Sequence, residues 1–85
     1  MVGKMLKVLR SNKDYNQTEL ADLLNIAQTT LSGYETNYSN PKFELINRIA
    51  ELCGYEIIFR NKSTKKEIGV EAFERMDIIK NTKSN

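Results

Sequence analysis

The stretch Gln17–Tyr34, QTELADLLNIAQTTLSGY, carries two apolar patterns separated by one asparagine. In the first, Leu20, Ala21, Leu23 and Leu24 form a stripe at helical spacing. Asn16 stands at its start and Glu19 three residues later. Asn16 can cap the free backbone amides while Glu19 reaches back, as in a capping box. Asn25 suits a left-handed position at the helix end, which Asn tolerates better than most residues other than Gly. This predicts a short helix over 17–24 and, directly after it, a second over 27–36. At about 100° per residue, Ala27, Thr30, Leu31 and Tyr34 share a core side. Gln28, Thr29, Ser32, Gly33 and Thr36 share the other side, which is small, uncharged and polar.

Working outward, Val2, Met5, Leu6 and Leu9 recur at i, i+3, i+4, i+7 and predict a helix over 2–12. Asn12, Asp14 and Asn16 disfavour its continuation. On the other side, Asn40 as cap and Pro41 in the first helical position open a fourth helix. Phe43, Ile46, Ile49, Ala50 and Cys53 repeat along it, and Gly54 ends it. The period then changes. Tyr55–Arg60 is β-branched and aromatic, with Tyr55, Ile57 and Phe59 on one face of a strand. Asn61 to Lys65 reads as a turn, Lys66 to Ile68 as a weaker strand. Val70, Ala72, Phe73, Met76 and Ile79 suggest a last helix. The expected organisation is a helical domain over 1–54, a strand or hairpin with a helix over 55–80, and a flexible tail over 81–85.

The 85 residues suit one modest core. No apolar run approaches the roughly 18 to 20 residues that span a bilayer, and the charged start MVGKMLKVLRSNKD does not resemble a signal peptide, so a cytoplasmic location is expected. There is no histidine and a single cysteine, Cys53. That excludes a zinc site of the usual ligands, histidine triads and an internal disulfide. No cofactor is expected and no metal site. Nothing groups nucleophiles, acids or a phosphate loop, so the chain does not read as an enzyme. Net charge is only +2, and residues 1–54 hold six basic and six acidic side chains. Bulk charge is therefore a weak pointer to nucleic acid, and pattern must carry that reading.

Two short helices joined by a tight turn suggest a helix-turn-helix. Counting from Gln17, the fifth place is small (Ala21), the ninth is a turn residue (Asn25), and Leu20, Leu24, Ile26, Leu31 and Tyr34 fill the apolar places. Ala21 lies where the next helix crosses closest; Ile26, Leu31 and Tyr34 seat that helix on the core. With Leu9-Arg10, Gln17-Thr18-Glu19-Leu20-Ala21, Leu24, Thr30-Leu31-Ser32, Tyr34-Glu35 and Asn40-Pro41, the chain resembles the XRE family of regulators, which includes the phage Cro and cI-type repressors, over about residues 2–54. The resemblance implies a mainly α, lambda-repressor-like bundle of four to five helices that binds DNA, usually as a dimer. The C-terminal strand or hairpin and short final helix would follow it. It further implies that Gln17 contacts a phosphate, that Gln28, Thr29, Ser32 and Gly33 face the bases, and that Thr30 sits nearer the core and backbone edge. Asn37, Tyr38, Asn40 and Lys42 would belong to the loop that touches the other side of the groove. Arg10 and Glu35 match a pair that joins the first and third helices in many members.

The chain departs from the family pattern in four places. Asn25 replaces the turn Gly. Ala27 replaces the Ser or Thr cap of the third helix, a loss of roughly 0.5 to 2 kcal/mol. Thr36-Asn37 stands for the usual Asn-Gly. Gly33 replaces a long side chain and removes a potential base contact.

An uncharged helix can still read DNA, because phosphate contacts supply affinity and base edges supply specificity. Helix N-termini dock phosphates without lysine. Gln28 can pair with adenine through two hydrogen bonds, and Thr29 can meet a thymine methyl. The plainer readings are a solvated polar face for Gln28, Thr29 and Ser32, a simple helix start for Gln17, separate surface charges for Arg10 and Glu35, and a core position for Cys53. Lys62, Lys65 and Lys66 can form a DNA-contacting patch, but a solvated turn is the expectation. The Tyr55–Phe59 strand can pack on its own chain or pair with a twofold-related copy. The second is favoured, since two copies are needed to span major grooves about 34 Å apart. The expected protein is thus a transcriptional repressor that binds double-stranded DNA as a homodimer. The alternative is an antitoxin-type module whose C-terminal segment binds a partner protein.

Overall fold

The computed structural model describes residues 1–76. Along these the elements are α1 (Val2–Asn12), α2 (Gln17–Leu24), α3 (Gln28–Glu35), α4 (Phe43–Leu52), β1 (Ile58–Arg60), β2 (Glu67–Gly69) and α5 (Val70–Arg75). The mainly helical class with a hairpin and a short last helix is as the sequence predicts. The chain divides into two compact units, Met1–Tyr55 and the segment from Glu56 onward. Ile79, assigned above to the last helix, and the tail over 81–85 lie outside the described residues.

The first unit is built on one small core. Leu6, Leu20, Ala21, Leu24, Leu31, Ile49 and Cys53 are buried together, with Val2, Leu9, Tyr15, Ile26, Tyr34, Leu45, Ile46 and Leu52 packed around them. Each buried Leu or Ile removes apolar surface worth about 1.5–3 kcal/mol. Burial also pushes the Cys53 thiol above its usual range, so the thiolate, the reactive form, is suppressed.

All four helices of this unit end by the same device. Asp14, Asn25, Asn37 and Gly54 have φ of 64°, 58°, 64° and 87°. In each case the next amide reaches back to the last turn: Tyr15 to Arg10 (3.2 Å), Ile26 to Ala21 (3.0 Å), Tyr38 to Gly33 (2.9 Å) and Tyr55 to Ala50 (2.8 Å). The residue at positive φ also donates one turn back, to Ser11, Asp22, Tyr34 and Glu51 in turn. This is the Schellman closure, in which a left-handed residue satisfies carbonyls that the helix leaves free. Asn25 adopts the left-handed conformation expected of it, and Asp14 and Asn37 join it. The capping box at the start of α2 is also present: the Glu19 amide donates to Asn16 Oδ1 and the Asn16 amide to Glu19 Oε1, both at 2.8 Å.

Several expectations need correction. Helix α4 starts at Phe43, with Lys42 in the capping position and no side-chain cap. Pro41 disfavours a helical Asn40, and the first helical carbonyl is that of Lys42, which accepts from Leu45 and Ile46. Phe43 is 46% exposed and Leu23 44%, although both belong to the apolar stripes of their helices. Met5 is exposed too; on α1 the core side runs instead through Gly3 and Leu6. Helix α3 covers 28–35 rather than 27–36. Ala27 and Thr30, expected on its core side, are exposed. A helix of two turns needs only Leu31 fully buried, and Glu35 one turn on takes the second inward place. Tyr55 belongs to the closure of α4, and its hydroxyl accepts from Asn12 Nδ2 at 2.9 Å. The strand therefore begins at Ile58, not Tyr55.

In the second unit, β1 and β2 form an antiparallel hairpin. Ile58 lies opposite Gly69, Phe59 opposite Ile68, and Arg60 opposite Glu67. The strand thus pairs within its own chain along one edge. The rings of Phe59 and Phe73 meet edge to face, with centroids 5.6 Å apart.

Candidate nucleic-acid interface

The geometry starts from a buried charge. Glu35 is 7% exposed and is the one buried charged or polar residue among those described. Arg10 grips it with both arms of its guanidinium, Nε to Oε2 at 2.7 Å and Nη2 to Oε1 at 2.9 Å. Such a two-point pair is strong and directional. Arg10 Nη1 also donates to the Tyr15 carbonyl at 2.9 Å. The pair that the resemblance implied is therefore formed, between α1 and α3.

Glu35 does more than hold Arg10. Gln17 Nε2 donates to Glu35 Oε1 at 3.0 Å, and Gln28 Nε2 donates to Gln17 Oε1 at 2.5 Å. A carboxylate only accepts hydrogen bonds, so Gln17 must turn its NH2 toward Glu35. That leaves the Gln17 carbonyl for Gln28, which must in turn present its own NH2. The buried carboxylate thus fixes the direction of both amides. Gln28 keeps its Oε1 and its second N–H free. An acceptor and a donor side by side are what the major-groove edge of adenine requires.

Around Gln28, Thr29 and Thr30 are exposed, and Ser32 and Gly33 are half-buried. Nothing in α3 carries a positive charge. A Cβ on Gly33 would meet only Ser39 Oγ at 3.5 Å and Tyr38 carbons beyond it, ordinary contacts. In the loop that follows, Tyr38 is 90% exposed, and Asn40 and Lys42 are exposed as well. Asn37 has a second task that the sequence did not disclose. Its Oδ1 accepts from the Gly3 amide at 2.9 Å, one of the free amides at the start of α1. Gly3 lies against the backbone of Tyr34 and Glu35, so the positive start of α1 meets the negative end of α3.

Sequence reasoning missed the Gln17–Gln28 bond, the Gln17–Glu35 bond and the role of Gly3. The first two were accessible in principle, since Gln17 and Gln28 each open a helix of the motif. For Gly3 the sequence gives no signal beyond a glycine on the apolar side of a helix.

Burial tends to raise the Glu35 carboxyl, but the hydrogen bonds from Arg10 and Gln17 and the charges of Arg10 and Lys7 outweigh it. The net effect lies below the usual carboxylate range. A carboxyl depressed in the folded state adds stability that is complete above its unfolded pKa, about 4.3. That stability is lost as pH falls through the lower folded value. The expected result is an acid limb in the wild-type melting temperature below about pH 4 that is flatter in Glu35→Gln. Parallel acid limbs for the two proteins would contradict this linkage.

Comparison with known proteins identifies the family. A family model described as Helix-turn-helix matches residues 6–59. The chain is 40% identical over 73 residues to the HTH-type transcriptional regulator AnsR of Bacillus subtilis (strain 168), covering 81% of this chain and 60% of that protein. It is 30% identical over 57 residues to the cryptic phage CTXphi transcriptional repressor RstR of Vibrio cholerae, covering 67% of this chain and 51% of the repressor. It is also 30% identical over 88 aligned positions to the antitoxin PezA of Streptococcus pneumoniae serotype 4 (strain ATCC BAA-334 / TIGR4), covering all of this chain and 56% of the antitoxin. The chain thus spans little more than half the length of these relatives. No solved structure gave a significant match. Among the described residues no helix is long and apolar enough to cross a membrane. With two short helices locked by Ala21, Leu24 and Leu31, and a family match over more than half its length, the chain belongs to the XRE-type helix-turn-helix family of DNA-binding transcriptional regulators.

Proposed function

We propose that the protein is a sequence-specific repressor that binds an inverted-repeat operator as a homodimer, with α3 in the major groove. The observation that carries this reading is the oriented amide of Gln28 at the start of an exposed, uncharged helix face. In it Gln28 reads adenine through Oε1 and its free N–H, and Thr29 meets a neighbouring thymine methyl or base edge. Ser32 and Gly33, being small, let the helix approach the bases closely. Thr30, Tyr38, Asn40, Lys42 and the free amide group of Asn37 flank the groove. Gln17 offers its second N–H and the N-terminus of α2 to a phosphate.

Homodimerisation is supported by the second unit. No residue of 56–76 whose exposure is described is fully buried. A two-stranded hairpin is marginally stable by itself, so Ile58, Phe59, Phe73 and Met76, all exposed, call for a covering surface. A twofold copy supplies one and places two α3 helices on successive grooves, about 34 Å apart.

Selection of bound duplexes from a random pool tests this function. A palindromic site with half-sites one helical turn apart is the expected result. Replacing Gln28 with Ala should then cost about 1–3 kcal/mol per half-site of that operator, roughly 5- to 150-fold for each, with little change on random DNA. Equal affinity of wild type and Gln28→Ala for the operator would eliminate this recognition face. A second reading is an antitoxin whose segment 55–80 covers a partner protein. The similarity to a little over half of PezA, which runs through segment 55–80 of this chain, favours it, and co-purification of a protein that masks Phe59 and Phe73 would support it.

A further inference from the structure

The motif unit presents an electrostatic puzzle. Binding a polyanion draws much of its affinity from cations that displace condensed counterions. Yet residues 1–55 hold as many acids as bases, and between Ile26 and Pro41 the only charge is Glu35. Within that unit Lys4, Lys7, Arg10 and Lys13 are spread along α1 and its end, and Arg10 is tied to Glu35; a denser group of cations stands in the second unit. Arg60–Lys66, RNKSTKK, has four positive charges and no acid in seven residues, and it forms the tip of the β1–β2 hairpin.

This tip is not a loose loop. Asn61 Oδ1 accepts from the amides of Ser63 at 2.8 Å and Thr64 at 3.0 Å. The Asn61 amide donates to the Lys66 carbonyl, and the Lys65 amide to the Asn61 carbonyl, both at 2.8 Å. Lys66 N also donates to Thr64 Oγ1 at 3.3 Å. Lys65 holds φ at 67°, a conformation that Gly or Asn would adopt at lower cost. Charge is thus kept at a position where backbone strain disfavours lysine. Lys62, Lys65 and Lys66 are exposed, and none enters an ion pair among the described residues. Arg60 is tied only to Glu67, at 3.4 Å, with both side chains at least half-exposed. An exposed pair of this kind is weak, so Arg60 is free to turn to another anion.

We infer that the hairpin tip is a second, sequence-independent DNA contact in which Lys62, Lys65 and Lys66 grip backbone phosphates and supply the affinity that the neutral recognition helix lacks. The occupant is a nucleic-acid backbone because the site offers separate, exposed ammonium groups on an ordered turn, which suit a row of phosphates. The inference rests on the DNA-binding reading above and is separable from it by experiment.

The test compares the full chain, the triple variant Lys62→Gln/Lys65→Gln/Lys66→Gln, the matching triple Arg variant and Gln28→Ala. Binding to the selected operator and to a random duplex of equal length is measured by anisotropy across a salt series. Loss of three phosphate contacts per protomer, six per bound dimer, should lower the slope of log affinity against log salt by about 5. Affinity for both duplexes should fall together, tenfold or more at low salt, while the Arg variant keeps the wild-type slope. Gln28→Ala should lose affinity on the operator alone and keep its slope. An unchanged slope in the Gln triple variant, with operator binding still sensitive to Gln28→Ala, overturns the hairpin contact but leaves the recognition helix standing. A slope equally reduced in the Arg variant also overturns it, because charge was retained there. Failure of the wild type to bind either duplex overturns both readings.

Discussion

Replacing Glu35 with Ala is expected to destabilise the helical unit by about 3–5 kcal/mol, the usual cost of removing one partner of a buried ion pair. The Glu35 side chain is 2% exposed and that of Arg10 11%, so neither is solvated well enough to stand alone. Small domains are stable by only about 5–15 kcal/mol, so the variant should show a clear drop in urea midpoint and partial unfolding on warming. The loss has a second face. Without the carboxylate, Gln17 is free to flip, and Gln28 is no longer obliged to present its NH2. Recognition should therefore suffer beyond the stability defect. Replacing both members of the pair, as in Arg10→Met with Glu35→Leu, separates the two effects. Apolar replacement of a buried pair is often neutral for stability, yet it leaves Gln17 unanchored. That double variant should regain much of the urea midpoint while operator binding stays weak. A Glu35→Ala protein that loses less than about 1 kcal/mol would mean that the pair behaves as an ordinary surface contact.

Gly3→Val is the other substitution with a large expected effect. An added Cβ would stand 2.7 Å from both the Glu35 carbonyl carbon and the Tyr34 carbonyl oxygen, and closer still to the Glu35 carbonyl oxygen. Those atoms are backbone, so no rotamer change relieves the clash; α1 must move off α3. Movement also breaks the Gly3–Asn37 bond and shifts Arg10 relative to Glu35. Overpacking costs roughly 1–3 kcal/mol, occasionally more, and Val should exceed Ala here. The direction is diagnostic. In an exposed helix Gly→Ala gains up to about 1 kcal/mol, so Gly3→Ala should reverse the sign seen at ordinary helix sites. Chemical denaturation of both variants measures it. A stabilised Gly3→Ala would show that the two helices are not held this close.

Local chemistry made much of the helical scaffold legible. Asn16 and Glu19 announce a helix start in four residues. Asn25, Asn37 and Gly54 mark helix ends because few other residues accept positive φ. Helix periodicity located Leu6, Leu20, Leu31 and Ile49 on their inward sides. What stayed hidden depends on which helix meets which. Leu23, Met5 and Phe43 have the right spacing for a core, but the unit is too small to bury them all. Lys42 capping α4 in place of Asn40 reflects the restricted backbone before Pro41. Of the candidate interface, the outward face of α3 was readable from a helical wheel. The orientation of Gln28 was not, because it is imposed by a carboxylate on the opposite end of the same helix, through a residue of another helix.

Gly33 leaves an unfilled position on the proposed recognition face of α3. The atoms nearest an added Cβ belong to Ser39 and Tyr38 and stand at ordinary contact distance, so a side chain can start there without a clash. Arginine at that point would bring a fork able to claim guanine without disturbing Arg10, Glu35 or Gln17. On the proposed reading of α3, position 33 is where an engineered change of operator should start.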